Sequence, residues 1–437
     1  MVIAFSCNNQ PARKQAAENI YHAKLENNLS DSALLDLVQM QTFKYFWDFA
    51  DPLSGLARER SNIAYEYGLE TTTIGGTGFG VMAIIVAANR NWISRDTAAG
   101  RLMRMVKFLG KANSYHGIFP HWMHGQTGKT IPFSRKDDGA DIVETSYLFQ
   151  GLLCAREYFN STDRKERELR NRINSLWNDA EWDWHTQGRD ELFWHWSPNN
   201  GWAMNFSIHG WNECLITYIM AASSPRHSIK ASVYDNGWAT GSFFKNGKEF
   251  YGLKLPLGFD YGGPLFFSQY SFLGLDPHGL KDKYADYWEQ NHNHTLINYK
   301  YCVDNPKHFK GYGDSCWGLT SSDNYEGYGG HSPTNDLGVI SPTAALSAFP
   351  YTPVESMKAL KHFYNFHGKN IWGRYGFTDA FSESKSWYAS SYLAIDQGPI
   401  IVMIENYRTG LLWKLFMNCG EIKTGLKKLG FESPYYK

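Results

Sequence analysis

Residues 136–159 read KDDGADIVETSYLFQGLLCAREYF. Between positions 142 and 155 this segment places Ile142, Val143, Tyr147, Leu148, Phe149, Leu152, Leu153 and Cys154 on every side of a helix. A helix that is apolar all round must be enclosed by other elements, so the chain has to build at least two layers of helices around it. Yet four carboxylates, Asp137, Asp138, Asp141 and Glu144, crowd the N-terminal end of the same helix. Asp141 and Glu144 are three apart, on the stripe that continues through Leu148 and Leu152. Ionised groups there are costly unless they are paired, hydrogen-bonded or facing a wet cavity. Capping and the helix dipole account for Asp137 and Asp138. For Asp141 and Glu144 the expectation is acid/base chemistry.

The chain has 437 residues, enough for one large domain built from a repeated unit or for two ordinary ones. Residues 1–30 read as an N-terminal tail and 31–437 as one catalytic domain. Lys plus Arg and Asp plus Glu both total 43. With no basic stripe or Arg-rich tail, nucleic acid is excluded as a partner. No run approaches the ~18 apolar residues of a membrane span. The segment Ala4-Phe5-Ser6-Cys7 resembles the end of a lipoprotein signal, which makes Cys7 a candidate lipid anchor on an exported, periplasmic protein; an ordinary cysteine after an apolar start is the alternative. The other five cysteines include no CxxC pair, so a zinc ribbon is not expected. Cys154 and Cys214 read as core residues, and whether Cys302 and Cys316 pair is open.

About a dozen helices are expected, among them Ser32–Asp48, Gly78–Arg90 capped by Thr77, Arg95–Leu109 capped by Ser94, Gly139–Phe159, Arg164–Asn178, Asn205–Ala222, Pro353–Phe366 and Pro399–Tyr407. Long loops near 113–136, 183–203, 239–265, 300–335 and 367–394 separate them. Loops of that length in a compact domain carry function. They follow alternate helices, which implies an all-α (α/α)6 toroid with its cleft at the loop end. The 16 Trp and 27 Tyr exceed what packing requires, and rings in such loops suit stacking on sugar faces.

Glu213 lies in NFSIHGWNECLITYIMAAS, mid-stripe with Phe206, His209 and Ile216, where no helix terminus explains it. A hydrogen bond from His209 is the structural explanation; a proton donor with a raised pKa is the functional one, and it is favoured. Asp396 precedes the apolar run Pro399–Ile404 and reads locally as a helix cap. Glu405 and Arg408 are expected to pair. GGTGFG at 75–80 follows no strand and lacks the dinucleotide spacing, so it reads as close backbone packing at a helix start. His116, His121 and His124 have no accompanying carboxylate–His helix motif and read as loop residues around Trp122; no metal and no cofactor are expected. A Ser-His-Asp hydrolase is excluded by the missing GxSxG elbow.

The stretch GRYGFTDAFSESKSWYASSYLAIDQGPIIVMIENYRTGLLW (373–413) resembles the signature of the glycoamylase-like proteins of Bacteroidetes. TTTIGGTGFG (71–80), DDGADIVETSYLFQGLL and HGWNE (209–213) are similar too. Together they resemble glycoside hydrolase family 144, the endo-β-1,2-glucanases, over most of residues 40–430. The resemblance implies an (α/α)6 barrel, a β-1,2-glucan substrate and hydrolysis with inversion. It implies that Asp141, Glu144 and Glu213 matter for activity, with Glu213 at the general-acid position. Asp396 matches a base position in related β-1,2-glucanases, where a substrate hydroxyl relays the proton, unlike the direct inverting layout. Arg58, Asp137, Asp138, His121, Trp194, Trp202, His209, Tyr375, Asp379 and Trp387 are the candidate sugar contacts, and a monomer is expected. The competing readings are a lyase, or a hydrolase of another β-linked glycan, on the same fold, and a non-catalytic glycan-binding protein.

Overall fold

The computed structural model describes residues 24–63 and 67–436. The proposed anchor Cys7 lies outside them. The helices in chain order are Asp31–Trp47 (α1), Ile74–Asn89 (α2), Arg95–Leu109 (α3), Ile142–Tyr158 (α4), Arg164–Asp179 (α5), Leu215–Ser223 (α6) and Ala231–Val233 (α7). They continue with Tyr287–Asp304 (α8), Pro342–Leu346 (α9), Pro353–His362 (α10), Gly368–Ile371 (α11), Ala394–Thr409 (α12), Leu411–Asn418 (α13) and Gly420–Lys428 (α14). The fold is all-α, as expected, with small hairpins in the connecting segments.

Two kinds of helix divide the work. In α2 every residue from Ile74 to Ala88 is buried, and in α4 every residue from Ile142 to Arg156 is. In α5 only Glu166, Leu169, Ile173 and Trp177 are, a stripe at helical spacing. The enclosed helices are neighbours: α2 packs between α4 and α12, α4 continues to α6, and α12 reaches α9. The striped helices lie outside them, with α3 against α5 and α1 against α12. Each buried leucine of α4, such as Leu148 or Leu152, contributes roughly 1.5–3 kcal/mol on leaving water.

The α2–α4 crossing is made of backbone. A Cβ on Gly78 would lie 2.1 Å from the Tyr147 carbonyl oxygen, and one on Gly151 would lie 2.2 Å from that of Gly78. The glycine run therefore gives close packing, as its sequence suggested, but from inside the helix, and a short strand, Thr71–Thr73, does precede it, contrary to expectation. α2 starts at Ile74 with Thr73 as its N-cap residue, and Thr77 instead bonds back to the Thr73 carbonyl.

Three boundaries differ from expectation in ways that matter. Residues 205–214 are irregular, with a left-handed Gly210 (φ +81°), and the helix begins only at Leu215. α12 begins at Ala394, five residues before Pro399, which sits inside it. Proline there forfeits one internal hydrogen bond, and burial of α12 between α1, α2 and α9 offsets the loss. α10 stops at His362 and passes into a wider turn, Phe363–His367.

Glu405 and Arg408 do not pair. Arg90 Nε reaches Glu405 Oε2 at 2.8 Å, and Arg408 bonds Asp36 Oδ1 at 2.6 Å. On a helix with neighbours on both sides, those partners win over the short intrahelical one. Trp177, Trp182, Trp211, Trp238, Trp317 and Trp372 are all fully buried, so much of the aromatic content is core rather than cleft. Cys302 and Cys316 are buried free thiols, as are Cys154, Cys214 and Cys419. No described helix is long and apolar enough to cross a membrane.

Candidate active site

Asp141 is the N-cap residue of α4, a position the sequence had suggested for its neighbours. Its Oδ1 accepts from the backbone N–H groups of Val143 and Glu144, both at 2.9 Å, and from Trp194 Nε1 at 3.0 Å. Its Oδ2 meets His121 Nδ1 at 2.9 Å. The strand pair Ala140–Asp141 (β1) and His195–Trp196 (β2) brings His195 to the same place, with Nε2 3.2 Å from Asp137 Oδ2. Glu144 turns to the neighbouring helix: its Oε2 accepts from Gly75 N–H at 2.7 Å, at the start of α2, and from Thr73 Oγ1 at 3.3 Å. That is an anion on a helix N-terminus. A Cβ at Gly75 would stand 2.7 Å from the same oxygen, so the glycine makes room for the carboxylate.

The electrostatics of this group are compensated. Burial alone would lower His121, but the charge of Glu144, the Asp141 hydrogen bond and the charges of Asp141 and Asp137 raise it to about 10. Burial would raise Asp141, and its bond and charge contact with His121 hold it below the usual range instead. Glu144 is raised: burial outweighs the pull of His121. His121, Asp137 and Asp141 lie close enough to surround an ion. A histidine protonated to about pH 10 is itself the cation, however, so the trio reads as an ion network.

A second acid group forms where the 300–335 and 367–394 segments meet α12. Asp396, in the first turn of α12, meets no N–H or hydroxyl donor among the described residues; its partner is the carboxyl of Asp379. A hydrogen bond between two carboxyls requires one to hold a proton. Burial and the charges of Asp396 and Asp323 push Asp379 well above the carboxylate range. Burial raises Asp396 to about 7, with the Asp379 bond opposing. Asp379 Oδ2 also accepts from the Asp323 backbone N–H at 2.6 Å. Arg60 Nη1 reaches Asp323 Oδ2 at 3.1 Å, Arg60 Nε reaches Glu59 at 3.0 Å, and Ser391 donates to Asp323. Asp396 is thus no helix cap: the cap residue is Leu393, three positions earlier.

Glu213 stands between the two groups. It is not mid-helix but in the turn just ahead of α6, where its main-chain carbonyl accepts from Ser271 Oγ at 2.6 Å and Tyr147 hydroxyl at 3.3 Å. Burial raises its carboxyl to about 7; a bond to its own backbone opposes this, and the charges of Glu144 and Asp141 add to it. The charges of Asp396, Asp379 and Glu213 all act on the Tyr270 hydroxyl, and those of Glu213 and Glu144 on Tyr147. Phe79 of α2 packs beneath both tyrosines, 5.3 Å from each ring. His121 in turn acts on Glu59, which closes the circuit of groups.

The remaining predicted residues fall into two sets. Asp137, His121, Trp194 and Asp379 join the acid groups. Asp138 bonds Asn199 Nδ2 at 2.6 Å in a separate depression with Tyr115, Lys129 and Pro198. Trp202 stacks near Trp184 (4.7 Å) and His185, and Trp387 pairs across a hairpin with Ser382. Tyr375 packs on Tyr45 and Tyr392, and Arg58 lies 4.7 Å over Phe49 beside it. The arginine among the acids is Arg60, not Arg58. His209 is exposed and meets Ser207 at 3.2 Å, so it does not support Glu213. Sequence reasoning missed Glu59, Arg60, His195, Tyr270 and Asp323. Only His195, alternating in Trp194-His195-Trp196, carried a local signal.

A family model described as "Putative glucoamylase" matches residues 205–420. A solved structure of the same description from Bacteroides uniformis is 60% identical and has a TM-score of 0.93, covering 94% of this chain and all of that one. An endo-β-1,2-glucanase from Chitinophaga pinensis, solved with sophorotriose and glucose, is 55% identical, covering 94% of this chain and all of that one, with a TM-score of 0.92. A curated relative from Parabacteroides distasonis, an exo β-1,2-glucooligosaccharide sophorohydrolase acting at the non-reducing end, is 44% identical over 92% of this chain. The chain spans 58% of that relative's length.

Proposed function

This chain belongs to glycoside hydrolase family 144, the glycoamylase-like proteins, and we propose that it hydrolyses β-1,2-glucan to sophoro-oligosaccharides with inversion at the anomeric carbon. The observation that carries the chemistry is the pair Glu213 and Asp396: two buried carboxyls, one in the turn ahead of α6 and one in the first turn of α12, both raised to about 7, whose charges both act on the Tyr270 hydroxyl. A carboxyl poised near neutrality serves as an acid when protonated and as a base when not. Glu213 protonates the leaving glycosidic oxygen. Asp396, beside the Asp379 carboxyl, takes the proton from the attacking water, directly or through a sugar hydroxyl.

The His121–Asp141–Glu144 group supports this pair without titrating near neutrality through Asp141 or His121. Its net negative side faces Glu213 and favours the protonated acid. Arg60 and Asp323 offer hydrogen-bonding groups to sugar hydroxyls beside Asp396. The reading extends to architecture: α2, α4, α6, the short turns Leu265–Ser268 and Tyr270–Leu273, α9 and α12 form the inner ring of an (α/α)6 toroid within one catalytic domain, 31–437. The substrate class rests on the names carried by the relatives from Chitinophaga pinensis and Parabacteroides distasonis.

The test is incubation with linear and cyclic β-1,2-glucan, followed by chromatography of the products and polarimetry of the nascent ends. Release of sophorose or longer sophoro-oligosaccharides in the α-anomer is expected. No release from either polymer overturns the substrate; a β-anomer overturns inversion. Attack on the cyclic polymer marks internal cleavage, and sophorose alone from linear chains marks cleavage from an end.

A further inference from the structure

Away from the acids, three segments converge on a cluster that the proposed hydrolysis does not use. Cys316 sits in the loop after α8, His362 ends α10, His367 ends the Phe363–His367 turn, and Glu383 follows the short strand Phe381–Ser382. Each offers one ligand atom, and these four atoms lie within 4.8 Å of one another. We propose that Cys316, His362, His367 and Glu383 form a structural zinc(II) site.

The donor set is one that zinc takes, and four protein ligands leave no open coordination position. Zinc bonds of ~2.0–2.3 Å place tetrahedral ligand atoms about 3.3–3.6 Å apart, so closing on an ion requires shifts on the order of 1 Å. Glu383 Oε1 already stands 3.2 Å from His367 Nε2. Without an ion the arrangement is poorly satisfied. Among the described residues, Nε2 of His362 is buried and makes no hydrogen bond, and Nε2 of His367, itself only 8% exposed, meets only the Glu383 carboxylate. Buried polar atoms of that kind ordinarily find partners. Cys316 is a buried thiol facing the Glu383 carboxylate, an unfavourable neighbour for a thiolate unless a cation lies between them. Glu383 also fills the space above Gly311, where a Cβ would come within 2.2 Å of Oε1, so the carboxylate has room at that glycine alone.

On binding, zinc(II) takes the place of the Cys316 proton, which is released to solvent. The ion ties α10 to the 381–388 hairpin, and so to the segment that carries Asp379, Trp387 and Ser391. The same thiol has a competing use, because Cys302 lies near enough to influence it. A Cys302–Cys316 disulfide would remove the ligand.

The full chain, treated with chelator under reducing conditions and then freed of chelator, is titrated with cobalt(II) and back-titrated with zinc(II). One equivalent of tetrahedral cobalt with a thiolate-to-metal charge-transfer band, displaced by zinc, is expected. The band should vanish in Cys316→Ser and survive in Cys302→Ser. His362→Gln should weaken binding beyond the ~10–100-fold typical of losing an outer partner, with far-ultraviolet circular dichroism unchanged. Zinc should raise the Tm of the wild type and not of Cys316→Ser. No charge-transfer band in wild type whose thiols are reduced, or a band that persists in Cys316→Ser, overturns the site. A Cys302–Cys316 disulfide in protein purified without reductant overturns it as well.

Discussion

The two acid groups hold similar residues and solve opposite problems. Around Asp141, donors fill the carboxylate's acceptor sites: two backbone N–H groups, an indole and an imidazole converge on it. Around Asp396, the hydrogen-bonding partner among the described residues is another acid. In the first group, Asp141 and His121 are locked as ions over a wide range. Asp141 is depressed, so its stabilisation is present above the ordinary aspartate pKa and is lost only as pH falls through its lowered folded value. His121 is raised to about 10, so its contribution is complete below its unfolded pKa and fades as pH rises through about 10. The second group, left short of donors, changes charge near neutrality. Saturating a carboxylate with donors makes a scaffold, and starving one makes a reactive group.

That contrast is open to direct attack. The largest effect expected is on turnover: Glu213→Gln and Asp396→Asn should each lower kcat on β-1,2-glucan by about 10²–10⁴ with the fold intact, measured by reducing-end release. Near-wild-type turnover in either variant removes that residue from the chemistry. Asp141→Ala should act first on stability. It deletes a helix cap and leaves His121 short of its partner, a combined loss of about 3–5 kcal/mol visible in urea unfolding. If stability holds and only activity falls, the scaffold reading of that group is wrong. Gly78→Ala forces a methyl into the α2–α4 crossing and should cost about 1–3 kcal/mol, read as a lower Tm. The smallest effect is a displacement of the pH profile. Activity requires Glu213 protonated and Asp396 ionised, so both limbs fall around pH 7 and the profile is a narrow bell. The Asp379 hydrogen bond lowers Asp396, so Asp379→Ala should carry the acid limb to higher pH and leave the alkaline limb in place.

Much of this was legible where the signal was local. The uniform apolarity of α4 announced an enclosed helix, and its acids announced a site. The glycines of 75–80 announced close packing. What failed were inferences that ran a helix through a segment whose partners lie far along the chain. Glu213 looked mid-helix because Phe206, His209 and Ile216 share its spacing, but Gly210 adopts a left-handed turn and residues 205–214 bond elsewhere. Asp396 looked like a cap because Pro399 resembled a helix start, whereas burial among α1, α2 and α9 carries the helix five residues further back. Arg60 and Asp323 are 263 positions apart and meet only through the tertiary fold. The family resemblance named Glu213 and Asp396 from motifs, independently of the local reading of their helices.

The crossing of α2 and α4 at Gly78 and Gly151 has an implication for how this scaffold can change. α2 bears Gly75, which receives Glu144, and Phe79, which carries Tyr147 and Tyr270. A shift of either helix by the width of one methyl group would therefore disturb Glu144 and the tyrosines beside the second acid group at once. Variation in the inner helices is penalised twice over, whereas the hairpins and long connections that rim them are under no such constraint. Relatives that differ in the length or end of glucan they accept are accordingly expected to differ in those rims, while the spacing of their inner helices stays the same.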